Sequence, residues 1–409
     1  MQGRYSFVSK INNRILNAQA LATFHLADEL VSHGIKAASM NAYTASGLLY
    51  RLDYSCLKGH TRYPYGLMVS QYSTERVLEK KLEELGITVE RPYRLVGLSD
   101  EEDKDGLIVA TFDSGEKIKT KYVVGADGSR SSVRKLLGIG FADPDSGSID
   151  DKDVVQMVIA DVTFSSPLPH SLSDQGHLQT VGSKLSVSMP VPRSRYPESY
   201  ESTEDNITRI MFSISKEDGL PPSTPDADYF QWCLDTRRPQ FMYLGKGEED
   251  KVTIDKVLWS SRFRIQAAIA DKCLVRLHAQ NENENPNLGP RVVFLVGDAA
   301  HIQSPVGGQG MNLGIRDAVG LGPLFVKHME QFPHDPSSAD KLLEEYASTR
   351  HARALSTIRL TKRSMHLVAA LGAMANGWAR YFLWLVELFF KIPFVTRKMV
   401  WELSGLGRV

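Results

Sequence analysis

The sequence predicts an α+β fold in which one layer is assembled from distant parts of the chain, and three observations carry that prediction. Two short apolar runs, YVVG at Tyr122–Gly125 and RVVFLV ending at Val296, each stop at a turn of glycine and aspartate and lead into a helical pattern, as a buried strand–turn–helix unit does. Between them, from Asp153 to about Arg264, apolar stretches rich in β-branched residues are separated by proline and charge clusters, the pattern of a predominantly antiparallel sheet. From Ser338 onward the chain reads as helical to near its end.

Taken in order, Ile15, Leu16, Ala20, Leu21, Phe24, Leu26 and Leu30 recur at helical intervals up to a stop at Gly34. A second helix is expected over Tyr72 to Leu85, opened by Ser73-Thr74-Glu75 and closed by Gly86. ITVERPYRLVGLS, GLIVATFDSG and EKIKTKYVVGADG then form a short β-meander, broken by EEDKD and by Asp113-Ser114-Gly115. The antiparallel region contains VVQMVIADVTF, HLQTVGSKLSVSMPVP and ITRIMFSISK, with SRYPESYESTEDN and EDGLPPSTPDAD as surface loops. Near the end, Leu367 to Phe394 is rich in aromatic and aliphatic residues, but Asn376, Arg380, Glu387 and Lys391 interrupt it at near-helical spacing. That argues against a membrane span and for an amphipathic helix packed on the body or capping a homodimer, with peripheral membrane contact as the minor reading.

Composition narrows the function classes. With 409 residues the chain has room for two or three structural units. Its 48 basic and 48 acidic residues give a formal net charge of +0, and no Lys/Arg run interleaves with aromatics, so no nucleic-acid partner is expected. Cys56, Cys233 and Cys273 are far apart and form no CxxC pair, which excludes a disulfide framework and a zinc site and predicts no metal. MQGRYSFVSKINNRIL has no apolar core of a secretory signal, and the expected location is cytoplasmic.

The chemistry is concentrated in VGDAAHIQSPVGGQGMNLG. A strand end followed by a glycine-rich loop and a helix aims backbone N–H groups at a polar or anionic ligand. Asp298 suits hydroxyls instead, because a carboxylate accepts hydrogen bonds from a sugar or ribityl chain. Gly297, Pro305, Gly307, Gly308 and Gly310 let a flat ring system lie against the main chain. Asn312, Asp317 and His301 complete the stretch, and for His301 a structural hydrogen bond competes with acid/base chemistry. The second motif, YVVGADGSRSSVRKLLG, ends a strand at Gly125-Ala126-Asp127-Gly128 and places Ser131 at a helix N-cap.

The pair GADGSRSSVR and GDAAHIQSPVGGQGMNLGIRDA resembles the DG and GD fingerprints of the FAD-dependent aromatic hydroxylases of the para-hydroxybenzoate hydroxylase and phenol 2-monooxygenase type. The resemblance extends over nearly the whole chain to about residue 330. It implies that Asp298 holds the ribityl chain, that Gly310, Met311 and Asn312 meet the isoalloxazine edge, and that Asp127 supports flavin and nicotinamide phosphate handling. YPYGLMVSQYSTERVLEKKL is similar to the segment that makes Gln71 a flavin contact, and RILNAQALATFHLADEL to the helix that makes Arg14 one.

The implied architecture is a flavoprotein-hydroxylase-like FAD-binding domain in pieces: residues 1–150, with some strands joining the substrate sheet; an antiparallel substrate-binding sheet over 151–288; the GD segment over 289–330; and C-terminal helices over 331–409. The implied activity uses FAD and NADPH or NADH to hydroxylate an aromatic or polyketide-like small molecule with O2 through a flavin C4a-hydroperoxide. Family members open with a strand–GxGxxG–helix cradle for the pyrophosphate. Here Met1 falls where the family already has its Gly-Arg junction, which leaves Gly3 and Arg4 as the remnant and predicts an N-terminally truncated domain with weakened FAD affinity. Two alternatives stay open: Baeyer–Villiger oxidation or epoxidation on the same scaffold, and a truncated, non-catalytic homologue. Tyr43, Tyr50, Trp232, Tyr243 and Phe263 divide between a substrate cavity and ordinary core, and His170 and His177 are expected in loops or on the surface.

Overall fold

The computed structural model describes residues 15–99, 107–148, 155–165, 170–192, 207–243, 252–277, 290–304, 308–373 and 379–406. It opens with helices α1 (Ile15–Ala22) and α2 (Ala27–Ser32). The helix expected up to Gly34 is therefore broken. His25 takes a φ of 60°, and the Leu26 N–H turns back to the Leu21 carbonyl at 3.1 Å. Strands β1 (Ile35–Ala37), β2 (Ser39–Thr44), β3 (Gly47–Asp53) and β4 (Gly66–Met68) lead to helix α3 (Gln71–Glu84). α3 begins at Gln71, one residue before the expected Tyr72, because the Ser70 hydroxyl accepts the Ser73 N–H at 3.0 Å and becomes the N-cap.

Strands β5 (Leu95–Ser99), β6 (Ile108–Phe112) and β7 (Lys117–Thr120) form the expected meander. β8 (Tyr122–Gly125) leaves it for another sheet, turned away by the Thr120 hydroxyl, which donates to the Tyr122 carbonyl at 3.0 Å. Helix α4 (Ser132–Leu136) and the short β9 (Phe141–Ala142) follow.

The central region contains β10 (Val155–Phe164), helix α5 (Ser171–Asp174), β11 (Gly176–Val181), β12 (Lys184–Val191), β13 (Ile207–Ile214), helix α6 (Ala227–Arg237) and β14 (Ile254–Ile265). They build a seven-stranded sheet in the order β14-β10-β13-β12-β11-β2-β3, antiparallel except between β11 and β2. Two strands from the first fifty-odd residues thus complete the sheet. The remaining elements are β15 (Ala268–Ala270), β16 (Leu274–Arg276), β17 (Val292–Leu295), β18 (His301–Ile302), α7 (Gln309–Gln331), α8 (Pro336–Ala373), α9 (Ala379–Phe390) and α10 (Pro393–Ser404).

Side-chain alternation along the strands divides the large sheet into two apolar faces. On one, Val158, Ala160, Ile210 and Phe212 pack against Phe230, Cys233 and Leu234 of α6. On the other, Met157, Leu185, Val187, Met189 and Ile207 pack with Ala37 and Met68 of β1 and β4. His177, expected at the surface, lies on β11 at 1% exposure, stacked 5.3 Å from Phe241. Burial pulls its pKa below the usual histidine value. Of the five aromatics noted in the sequence, Tyr43 and Tyr243 support the α6 face, Phe263 the opposite face, Tyr50 packs on Phe390, and Trp232 is 40% exposed on α6.

One ion pair lies inside this sheet. Arg209 and Asp161 sit opposite each other on β13 and β10, with Nε to Oδ1 at 2.5 Å, Nη2 to Oδ2 at 2.7 Å and side-chain exposures of 1% and 0%. Desolvation offsets much of such a pair's attraction, whereas leaving one partner alone strands a buried charge. Arg209→Met should therefore cost about 3–5 kcal/mol in urea denaturation, and the double variant Asp161→Leu/Arg209→Met should recover most of the loss. Equal destabilisation by the single and double variants would show that the ionic pairing is not what matters at this site.

Candidate functional site

The two strand-end motifs meet because β8 and β17 pair in parallel. Their register sets Tyr122 beside Val292 and Gly125 beside Leu295, and the Val296 N–H donates to the Gly125 carbonyl at 3.0 Å. Val292 to Leu295 are all at most 2% exposed, and this β-branched run needs cover on both faces, as a parallel strand does. Antiparallel β16 covers the other edge of β17. Gly297, Asp298 and Asp127 consequently sit at the carboxyl ends of neighbouring strands, where α/β sheets bind ligands.

Helix α7 closes the site from the other side. Gly308, at φ 59°, precedes it, so Gly310, Met311 and Asn312 lie at its start, the end of the helix that carries partial positive charge. The Asn312 amide donates back to the Gly308 carbonyl. The loop and the helix touch through two glycines: a Cβ on Gly314 would lie 3.1 Å from the Gly297 Cα, and Gly297 itself has φ 58°. A side chain at Gly314 would press the helix off the strand end, whereas at Gly297 it is the left-handed φ that disfavours one.

A buried ionic hub fixes this arrangement. Asp317 of α7 accepts the Gly297 N–H at 3.1 Å, faces His301 Nε2 at 2.7 Å, and binds Arg350 of α8 through Nε at 2.7 Å and Nη2 at 2.6 Å. Burial raises the Asp317 carboxyl, but the hydrogen bond and charge of His301 and the charge of Arg350 outweigh it and hold the group below the ordinary carboxylate range. An ionised carboxylate only accepts, so His301 donates from Nε2, and its Nδ1 is buried without a partner among the described residues. The Gln303 amide oxygen and nitrogen are buried and unpartnered in the same sense.

Asp127 has a local structural duty as well. Its carboxylate accepts the N–H groups of Ser132 at 2.6 Å and Val133 at 3.1 Å and so caps α4 together with Ser131, whose hydroxyl accepts the Arg134 N–H at 2.9 Å. Arg134 then joins the two motifs. Its guanidinium donates to the carbonyls of Ala299 at 2.8 Å and Ser129 at 2.7 Å and lies 3.7 Å over the Phe141 ring. Gln71 stands in the first turn of α3 and donates to Glu75 at 2.6 Å, and its helix reaches α7 through a core shared by Val77 and Ile315. Arg14 and Pro305 lie outside the described residues.

Sequence reasoning missed Arg134 and Arg350. Arg134 reads as one more polar residue of a short helix, and Arg350 is far along the chain in a charged stretch, so neither carries a local signal. A carboxylate at a strand end, a glycine turn that admits close approach, a helix N-terminus and unpartnered polar atoms in one loop together fit a polar ring system with a hydroxylated, anionic tail.

Because the folded-state pKa of Asp317 is depressed, its contribution is complete above the unfolded carboxylate value of about 3.9 and fades as pH falls through the lower folded value. Asp317→Asn should cost at least about 3 kcal/mol in urea denaturation at neutral pH. The gap from the wild type should narrow progressively below about pH 4, and a gap that stays constant with pH would contradict the ionic assignment.

The model of the FAD binding domain family matches residues 14–227 and 287–361, well over half of the chain. Rifampicin monooxygenase of Streptomyces venezuelae is 28% identical over 309 residues, 76% of this chain and 54% of that protein. Pentachlorophenol 4-monooxygenase of Sphingobium chlorophenolicum is 29% identical over 280 residues, 66% of this chain and 42% of that one. The chain thus spans about half the length of these curated relatives. Among solved structures, p-nitrophenol 4-monooxygenase from Pseudomonas putida DLL-E4 superposes with a TM-score of 0.71 at 18% identity, covering 99% of this chain and 90% of that one. The anhydrotetracycline hydroxylase of Streptomyces rimosus gives 0.63 at 24% identity, covering 97% and 68%, and these likenesses establish the fold. With its two strand-end motifs side by side and the family model spanning both, this chain belongs to the FAD binding domain family of flavoprotein aromatic hydroxylases.

Proposed function

We propose that this chain forms the flavin- and substrate-binding part of an FAD-dependent monooxygenase that uses NADPH or NADH and O2 to hydroxylate an aromatic or polyketide-like small molecule. The observation that carries the reading is the parallel β8–β17 ladder, which brings the Asp127 and Asp298 turns to neighbouring strand ends, the second of them packed against α7. The names of the relatives, which refer to rifampicin, pentachlorophenol and anhydrotetracycline, support the substrate class.

In this reading Asp298 accepts hydrogen bonds from the ribityl hydroxyls, and the N–H groups of Gly310, Met311 and Asn312 stabilise negative charge at the ring edge. Gly297 keeps the backbone low enough for ring contact. Asp127 acts through α4, whose first N–H groups its carboxylate accepts, and so holds the turn at the neighbouring strand end. Gln71 contributes from the first turn of α3, and the resemblance adds Pro305 and Arg14 as cofactor contacts. When bound, the flavin supplies the redox chemistry, drawing electrons from the nicotinamide and activating O2. The protein's share is to position the ring and to exclude water from it.

Titrating the purified chain with FAD and following the quenching of flavin fluorescence tests the reading without needing a substrate. Saturable binding is expected, and Asp298→Ala should weaken it about tenfold to a hundredfold, the loss of one or two hydrogen bonds to a charged acceptor. Unchanged affinity in a variant that melts like the wild type would remove Asp298 from the cofactor.

A further inference from the structure

Helix α9 carries apolar side chains on two opposite sides. Val386 and Phe390 face the body, where they pack with Leu49, Leu371 and Tyr50, whose ring lies 4.9 Å from that of Phe390. Trp384, Leu385, Leu388 and Phe389 point away from it, with exposures of 60%, 53%, 50% and 53%. The corner into α10 adds Ile392 at 47% and Phe394 at 71%. At about 100° per residue the four α9 side chains span roughly 140° of the helix surface. Exposed hydrophobics scattered singly are ordinary, whereas six within eleven residues form a patch. The sequence led us to expect polar groups on the free side of this helix. Instead Glu387, its carboxylate, is half-buried.

The charges around the patch are mostly positive. Lys391, Arg397 and Lys398 are exposed, against the half-buried Glu387 and the exposed Glu402 of α10. Among the described residues no helix is long and apolar enough to cross a membrane, and α9, with 12 residues, is about 18 Å long. We propose that the α9–α10 corner seats this protein on an anionic lipid surface. α9 lies in the interface plane with Trp384, Leu388, Phe389 and Phe394 among the acyl chains, and Lys391, Arg397 and Lys398 meet the headgroups. The same charges disfavour a second copy as the occupant. A two-fold contact would set the patch against itself and bring three cations against three, with only Glu387 and Glu402 to offset them.

The test is co-sedimentation of the full chain with vesicles of phosphatidylcholine alone and of phosphatidylcholine with phosphatidylserine, at low and high salt. Binding to the anionic vesicles is expected, released by salt. Each surface cation contributes about fivefold to partitioning, so Lys391→Gln/Arg397→Gln/Lys398→Gln should lower it about a hundredfold. Leu388→Ser/Phe394→Ser should weaken binding on both lipids. All five side chains are exposed, and thermal unfolding checks that the variants fold; should the serine variant not fold, the cation variant and the salt titration decide. Wild-type protein left in the supernatant with both vesicle types would overturn the proposal. So would equal pelleting of the wild type and the cation variant. A dimer in sedimentation velocity that Leu388→Ser/Phe394→Ser dissolves, without lipid binding, would assign the patch to a second copy.

Discussion

The parallel pairing of β8 with β17 is the constraint on which the rest of the molecule depends. Neither strand carries chemistry by itself, yet their four-position register decides that the two glycine–aspartate turns emerge side by side. Everything around the site serves to hold that register. Antiparallel β16 and the apolar cluster of Ile108, Val133, Leu321 and Leu343 bury the ladder, while Arg134 ties the far ends of the two turns together.

A second layer of control is ionic. Asp317 gathers a backbone N–H and an imidazole from the Gly297–His301 stretch and a guanidinium from α8, so one carboxylate couples the strand-end turn, α7 and α8. Tyr346 of α8 reinforces the same junction by donating to the Asp317 carbonyl at 2.9 Å, and burial pushes its phenol up to about 12. The large sheet is stapled in the same manner by Asp161 and Arg209. Both clusters put charge where apolar packing alone would leave the geometry loose, and both are costly to leave half-made.

Much of this was legible in the sequence where the signal is local. The strand runs ending at Gly125 and Val296, the Ser131 cap, the β5–β7 meander and the helical tail all follow from periodicity and turn residues within about ten positions. What escaped was set by contacts between distant segments. That some early strands join the large sheet was expected, but which ones they are, the parallel step between β11 and β2 and the burial of His177 depend on which strands become neighbours. The break between α1 and α2 escaped because the apolar spacing runs through it unchanged, and the chain turns at a histidine instead of a glycine or proline. Within the site, Asp298 and the α7 glycines announced themselves by composition. Asp127 was legible as a residue but not as a helix cap, and Arg134 and Arg350 needed the folded partners before their roles could be read.

The same ladder has a kinetic consequence. Hairpins such as β11–β12 and the β5–β7 meander close short loops and can form early, whereas β8 and β17 must find each other across the whole central sheet. Closing that gap is far less demanding once the intervening strands have condensed and shortened the path between Gly125 and Val292. On topology alone, the pairing that brings the two motif turns together belongs to the slow, non-local part of folding. Ligand-binding competence in this chain thus rests on one of its most non-local contacts.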